Sequence, residues 1–124
     1  MEKEFIPYTE ALALKELGFN EPCFAIHSIN LMTENEDWEL RIGGVWKNQE
    51  LVDSIKAPTF SQAFRFFREK YKLHNGIYPY YDEYEFQIKD FRLPTSTPIN
   101  GGLMPYEEAE LECLKKLIEI VKTK

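Results

Sequence analysis

Residues 59–71, TFSQAFRFFREKY, place the tightest constraint on the fold. At about 100° per residue, Phe60, Phe64, Phe67 and Tyr71 fall on one narrow helical stripe. Four aromatic rings on one side of a helix need an apolar surface to cover them. Thr59 and Gln62 have the spacing of a capping box at the helix start. Arg65, Arg68 and Lys72 gather on another side, and the helix is expected to close near Asn75-Gly76. Phe66 belongs to neither stripe, so it must find a second packing surface or lie exposed.

Two further helices frame this one. Pro7 suits a first helical position because its missing N–H has no partner there. Leu14 and Leu17 repeat on one side, Gly18 can end the helix in a left-handed conformation, and Phe19 can fold back on Leu14. Helix one is therefore expected over about 7–17. The last helix starts at Pro105, with Glu107 and Glu108 in its first turn and Lys122 near its end, in accord with the helix dipole. Its apolar stripe is Leu111, Leu114, Ile118 and Val121, widened by Cys113 and Leu117, with Glu112 and Lys116 one turn apart.

Between the helices lie strand patterns. CFAIHSINL (23–31) is rich in apolar and β-compatible residues, TENED is a turn, and WELRIGGVW alternates Trp38, Leu40 and Ile42 against Glu39, Arg41 and Gly43. These two form a hairpin, followed by a loop from about 47 to 58. A second hairpin is expected over 77–91, and LPTSTPINGG (93–102), with its prolines and paired glycines, is expected to be loop. The order α-β-β-α-β-β-α predicts one α+β domain over 1–124: a four-stranded, mostly antiparallel sheet packed against three helices. The helix starts PYTEA and PYEEA look alike, but Pro followed by acids is a common way to begin a helix.

The second hairpin carries IYPYYDEYEF (77–86), four tyrosines and three acids in ten positions. A three-residue loop, Tyr81-Asp82-Glu83, would pair Tyr80 with Tyr84 and Tyr78 with Phe86. Tyr78, Tyr80, Tyr84, Phe86 and Ile88 would then share a core face. A two-residue Asp82-Glu83 turn lacks the favoured glycine and would split the aromatics between faces. The three-residue register is the expected one. Pro79 has no N–H to give a ladder, so its strand is expected at the sheet edge, and Tyr78, Pro79 and Tyr80 form a candidate edge for a partner.

Chemistry-bearing patterns are sparse. Two Cys and two His lack zinc-finger spacing, no G-x-S-x-G occurs, and Gly43-Gly44 and Gly101-Gly102 do not precede a helix with phosphate-loop spacing. No cofactor, metal or catalytic residue is therefore expected. A cleft around Cys23 and His27 is the one conceivable enzymatic site. The net charge of −6 disfavours nucleic-acid binding over the whole surface, leaving Arg65, Arg68 and Lys72 as a local basic face that could engage it. With no membrane-spanning run and no hydrophobic leader, a cytoplasmic location with reduced thiols is expected.

Three stretches, EFIPYTEALALKELGFNEPCF, KAPTFSQAFRFFREKYKLH and YEEAELECLKKLIEIVKTK, resemble a group of short, uncharacterised proteins encoded by Bacteroidetes bacteria and their phages or prophages. The resemblance implies a shared fold and a mobile-element setting in the bacterial cytoplasm, and carries no site. The expectation is a small non-enzymatic accessory protein whose partner is another protein or a second copy of itself.

Overall fold

Gly18, at φ 98°, ends the first helix in the left-handed conformation its position anticipates. The computed structural model describes residues 2–28, 39–46, 54–92 and 98–123. Helix α1 runs Tyr8–Glu16 with Pro7 as its N-cap. Phe19 N–H donates to the Leu14 carbonyl at 2.9 Å and Gly18 N–H to that of Lys15 at 3.1 Å, so the helix closes in a Schellman motif. The chain divides into two compact units, residues 1–59 and 60–124.

The first unit holds α1 and the strands β1 (Cys23–Ser28), β2 (Glu39–Trp46) and β3 (Ser54–Lys56). They form an antiparallel sheet in the order β2-β1-β3. The expected hairpin is present, but β3 lies in the stretch expected to be loop. Three residues are too few to show a period, yet Ile55 is buried and pairs with His27. Phe5, Ala25 and Ala57 form a core cluster with Leu40 against it, while Ile42, expected on the same side, is 41% exposed. The TENED turn, Trp38 and residues 47–53 lie outside the described residues.

His27 sits inside this unit at 6% exposure. A carbonyl oxygen can only accept, so Nε2–H donates to the Ile6 carbonyl, 2.8 Å away, and ties the N-terminal segment to β1. The Tyr8 ring meets the imidazole edge-on at 6.1 Å. Burial lowers the His27 pKa from its ordinary 6.5, partly offset by the Ile6 hydrogen bond. The unfolded chain therefore binds the proton more readily than the folded one. Stability from His27 is present above pH 6.5 and is lost as pH falls through 6.5 toward the lower folded value. Melting curves from pH 8 to 5 are expected to show a steeper loss for the native protein than for His27→Gln, and identical slopes would rule this account out.

The second unit holds α2 (Phe60–Tyr71), β4 (Leu73–Tyr80), β5 (Glu83–Asp90), β6 (Ile99–Asn100) and α3 (Tyr106–Lys122). Its sheet is an antiparallel meander, β4-β5-β6. Among the described residues no strand of one sheet pairs with the other, so two three-stranded sheets stand where one four-stranded sheet was expected. The fold class, α+β with three helices, holds. The α-β-β recurrence does not extend to topology, because the middle strand comes first in one sheet and second in the other.

Helix α2 ends earlier than its glycine signal suggests. Lys72, at φ 59°, takes the left-handed terminating conformation, and Asn75-Gly76 belongs to β4. His74 is likewise on β4, its ring 4.3 Å from that of Phe91. Phe66 is buried rather than exposed, edge-on to Phe67 at 5.4 Å and Tyr71 at 5.8 Å. Strand β6 occupies part of the expected 93–102 loop. Residues 93–97 lie outside the described residues. In α3, Glu112 pairs with Lys115 at 3.6 Å, not with Lys116, which reaches Glu119 at 3.4 Å. Among the described residues no helix is long and apolar enough to cross a membrane.

Candidate functional site

The ladder of the β4–β5 hairpin decides which tyrosines are available. Tyr80 pairs with Glu83, Pro79 with Tyr84, Tyr78 with Glu85 and Ile77 with Phe86. The connection is thus the two residues Tyr81-Asp82, one shorter than the expected loop. Tyr81 takes φ 57°, the positive sign that a tight hairpin demands and that glycine or asparagine usually supplies.

One residue of difference in the loop reverses one strand's faces relative to the other. Leu73, Asn75, Ile77 and Pro79 now share a side with Tyr84, Phe86 and Ile88. Helix α3 covers that side: Asn75 hydrogen-bonds the Cys113 thiol, and the Tyr84 and Tyr106 rings meet edge-on at 5.2 Å. Leu73, Phe86 and Ile88 are buried there. The other side carries His74, Gly76, Tyr78, Tyr80, Glu83, Glu85, Gln87 and Lys89. Tyr78 is 50% exposed, Tyr80 55% and Tyr81 90%. Tyr78 and Tyr80, expected in the core, therefore lie on the outer face. Tyr84, Phe86 and Ile88 keep the side expected of them.

Pro79 is on an edge strand, as expected. Tyr84 exchanges backbone hydrogen bonds with Met104 at 2.8 and 2.9 Å, so it turns its polar groups away from β4. Pro79 opposite it is then a non-hydrogen-bonded position, its ring nitrogen directed away from β5. By the same parity Asn75 and Ile77 direct N–H and C=O outward, and among the described residues neither has a backbone partner there. Tyr81, Glu83 and Glu85, absent from the candidate edge as read from sequence, join it through the turn and the cross-strand pairs. The signal that could have found them is pairing parity, which loop length controls.

The Cys23–His27 site does not form. Cys23 is 1% exposed, its thiol donates to the Glu21 carbonyl at 3.4 Å, and burial raises it to about 11, Lys56 opposing. His27 has its Nε2 committed to Ile6. Neither a thiolate nor an adjoining base results. Cys113, fully buried in α3, is pushed up to about 12 by burial. At pH 7.5 both are therefore held as thiols. A disulfide reagent such as DTNB is expected to label the native protein slowly and the guanidinium-unfolded protein at once. Rapid labelling of native protein would contradict the burial.

Arg65 and Arg68 are exposed on α2, and Lys72 is exposed just past its end. Lys70, nearby, lies 5.4 Å from the ring centroids of both Phe66 and Tyr71. Among the described residues no group of three or more His, Cys, Asp or Glu is placed to hold a metal ion. Comparison with protein-family models, curated proteins and solved structures returned no match.

Proposed function

We propose that this protein is a small non-enzymatic accessory protein that binds another protein through the β4–β5 hairpin. The observation that carries the reading is the outer face of that hairpin. Three exposed tyrosine rings, Tyr78, Tyr80 and Tyr81, stand beside an edge strand with outward-directed backbone groups at Asn75 and Ile77. A partner strand can satisfy those groups while the rings supply contact area at small cost in side-chain entropy. The resemblance described above supports a phage or prophage setting in the bacterial cytoplasm, with a host or phage protein, or a second copy, as partner.

A benzophenone amino acid in place of Tyr81, and separately in place of the exposed Glu108 on α3, tests this in the expressing cell. A discrete adduct from position 81 and none from 108 is expected. Equal adducts from both, or none from either, would remove the reading.

A second reading, nucleic-acid binding through Arg65, Arg68 and Lys72, draws on the exposure of all three. Fluorescence anisotropy with labelled single- and double-stranded DNA and RNA decides it. Affinity that is absent, or unchanged after Arg65→Glu and Arg68→Glu, eliminates it.

A further inference from the structure

The hairpin tip has a charge pattern that specifies more than a protein partner. From Tyr78 to Glu85 the chain carries Asp82, Glu83 and Glu85 and no basic residue. Among the described residues none of these carboxylates is in an ion pair. Two of the three exposed rings are directly opposite a carboxylate, Tyr78 against Glu85 and Tyr80 against Glu83. Cross-strand neighbours have Cβ atoms about 5 Å apart, so each ring and the carboxylate opposite it spring from adjacent points of the outer face. The two ring–carboxylate pairs are two residues apart along the strand, about 6.7 Å. Tyr78 also lies across Gly76, its ring atoms 2.6–2.7 Å from where a Cβ would stand. A side chain at position 76 would lift the ring away.

We infer that this outer face takes a cationic, extended segment of the partner, with arginine or lysine at alternate residues; the inference rests on the protein-binding reading above. A strand added along β4 points alternate side chains to the outer face at the same spacing of about 6.7 Å. Two cations at that interval each meet a tyrosine face and a carboxylate. An arginine satisfies both, stacking its planar guanidinium while donating two hydrogen bonds to the carboxylate. The free carboxylates favour cations over an anionic partner. A second copy would bring an equally acidic tip and repel it, so tip-to-tip self-pairing is disfavoured.

The test is anisotropy with fluorescein-labelled heptapeptides on the intact chain. One peptide has arginine at alternate positions between threonine and valine. A second has glutamate at those positions, and a third has the same arginines contiguous. Saturable binding of the alternating-arginine peptide is expected, weakening with salt and at least about tenfold tighter than either control. Glu85→Lys, Tyr78→Ala and Gly76→Ala are each expected to weaken it about tenfold, and Glu108→Lys on α3 to leave it unchanged. These positions are surface-exposed or bordered by an exposed ring, and matching melting curves establish that the variants are folded. Equal binding of the arginine and glutamate peptides, no response to Glu85→Lys, or self-association through these residues would overturn the inference. A position-81 adduct in cells without arginine-peptide binding removes only the cationic chemistry. Absence of that adduct removes the docking hairpin itself.

Discussion

Phe86→Ala is expected to destabilise the protein by about 3–5 kcal/mol, whereas Tyr80→Ala changes stability by less than about 0.5 kcal/mol. The two residues lie in the same hairpin, six positions apart, and differ in which face the ladder assigns them. Phe86 is 6% exposed, and its face of β5 packs against α3. Its removal loses the transfer free energy of the ring and leaves a cavity that a helix and a paired strand cannot close. Tyr80 is 55% exposed, and its ring contact among the described residues is the edge of Tyr81 at 4.8 Å. In thermal melts, Phe86→Ala should lower the midpoint by more than about 10 °C. The comparison also tests the register directly. With a three-residue loop Tyr80 would be on the covered face, and both substitutions would be costly. Comparable losses from the two variants would mean that the pairing described here is wrong.

Gly101→Ala is expected to cost about 1–3 kcal/mol and Gly76→Ala less than about 0.5 kcal/mol, although both crowd an aromatic ring. A Cβ at Gly101 would stand 2.0 Å from Cε2 of Phe86 and 2.4 Å from Cδ2. The Gly101 N–H is hydrogen-bonded to the Phe86 carbonyl at 2.9 Å, so the two backbones cannot separate without breaking the ladder. Phe86 is buried, so its ring has nowhere to go. At Gly76 the obstruction is the far end of Tyr78, with Oη 2.4 Å from where the added methyl would stand, and that exposed side chain can rotate into water. Denaturant titrations of the two variants measure the contrast. Partial recovery of Gly101→Ala by Phe86→Leu would show that the ring is the obstruction, while equal stability of both glycine variants would show that it is not.

Much of the fold was legible because short-range chemistry marks it. Gly18 followed by Phe19 identifies a helix end through a conformation that other residues resist, and the Schellman hydrogen bonds are present. The aromatic stripe of α2 and the apolar stripe of α3 carry a period long enough to read. Pro79 marks an edge strand because a missing N–H cannot serve a central ladder. What escaped has equally specific causes. Strands β3 and β6 have three and two residues, too short for any period, and exist because neighbouring strands have hydrogen-bonding groups to fill. Lys72 and Tyr81 adopt left-handed conformations without being glycine, so the residue types that usually mark a helix end and a tight turn pointed elsewhere. The Cys23–His27 pairing failed because proximity in sequence says nothing about whether burial removes the charge a nucleophile needs.

The candidate site shows where the division falls. By itself the sequence determined that residues 77–91 would contain a hairpin, that its Pro79 strand would lie at an edge, and that tyrosines and acids would crowd its tip. Of the two loops weighed, Asp82-Glu83 and Tyr81-Asp82-Glu83, local pattern favoured the longer because it keeps the aromatics on one face. Tertiary structure adopted neither and closed the hairpin on Tyr81-Asp82. The exchange of Tyr84 with Met104, the pairing of Ile88 with Ile99 and the packing of α3 fix how β5 lies in the sheet. The interactions that hold β5 so can offset the strain of a left-handed Tyr81, about 1–2 kcal/mol. Because side chains alternate, that single choice sent Tyr78 and Tyr80, which local pattern had assigned to the core, outward to face Glu85 and Glu83, and made an aromatic and acidic surface of them.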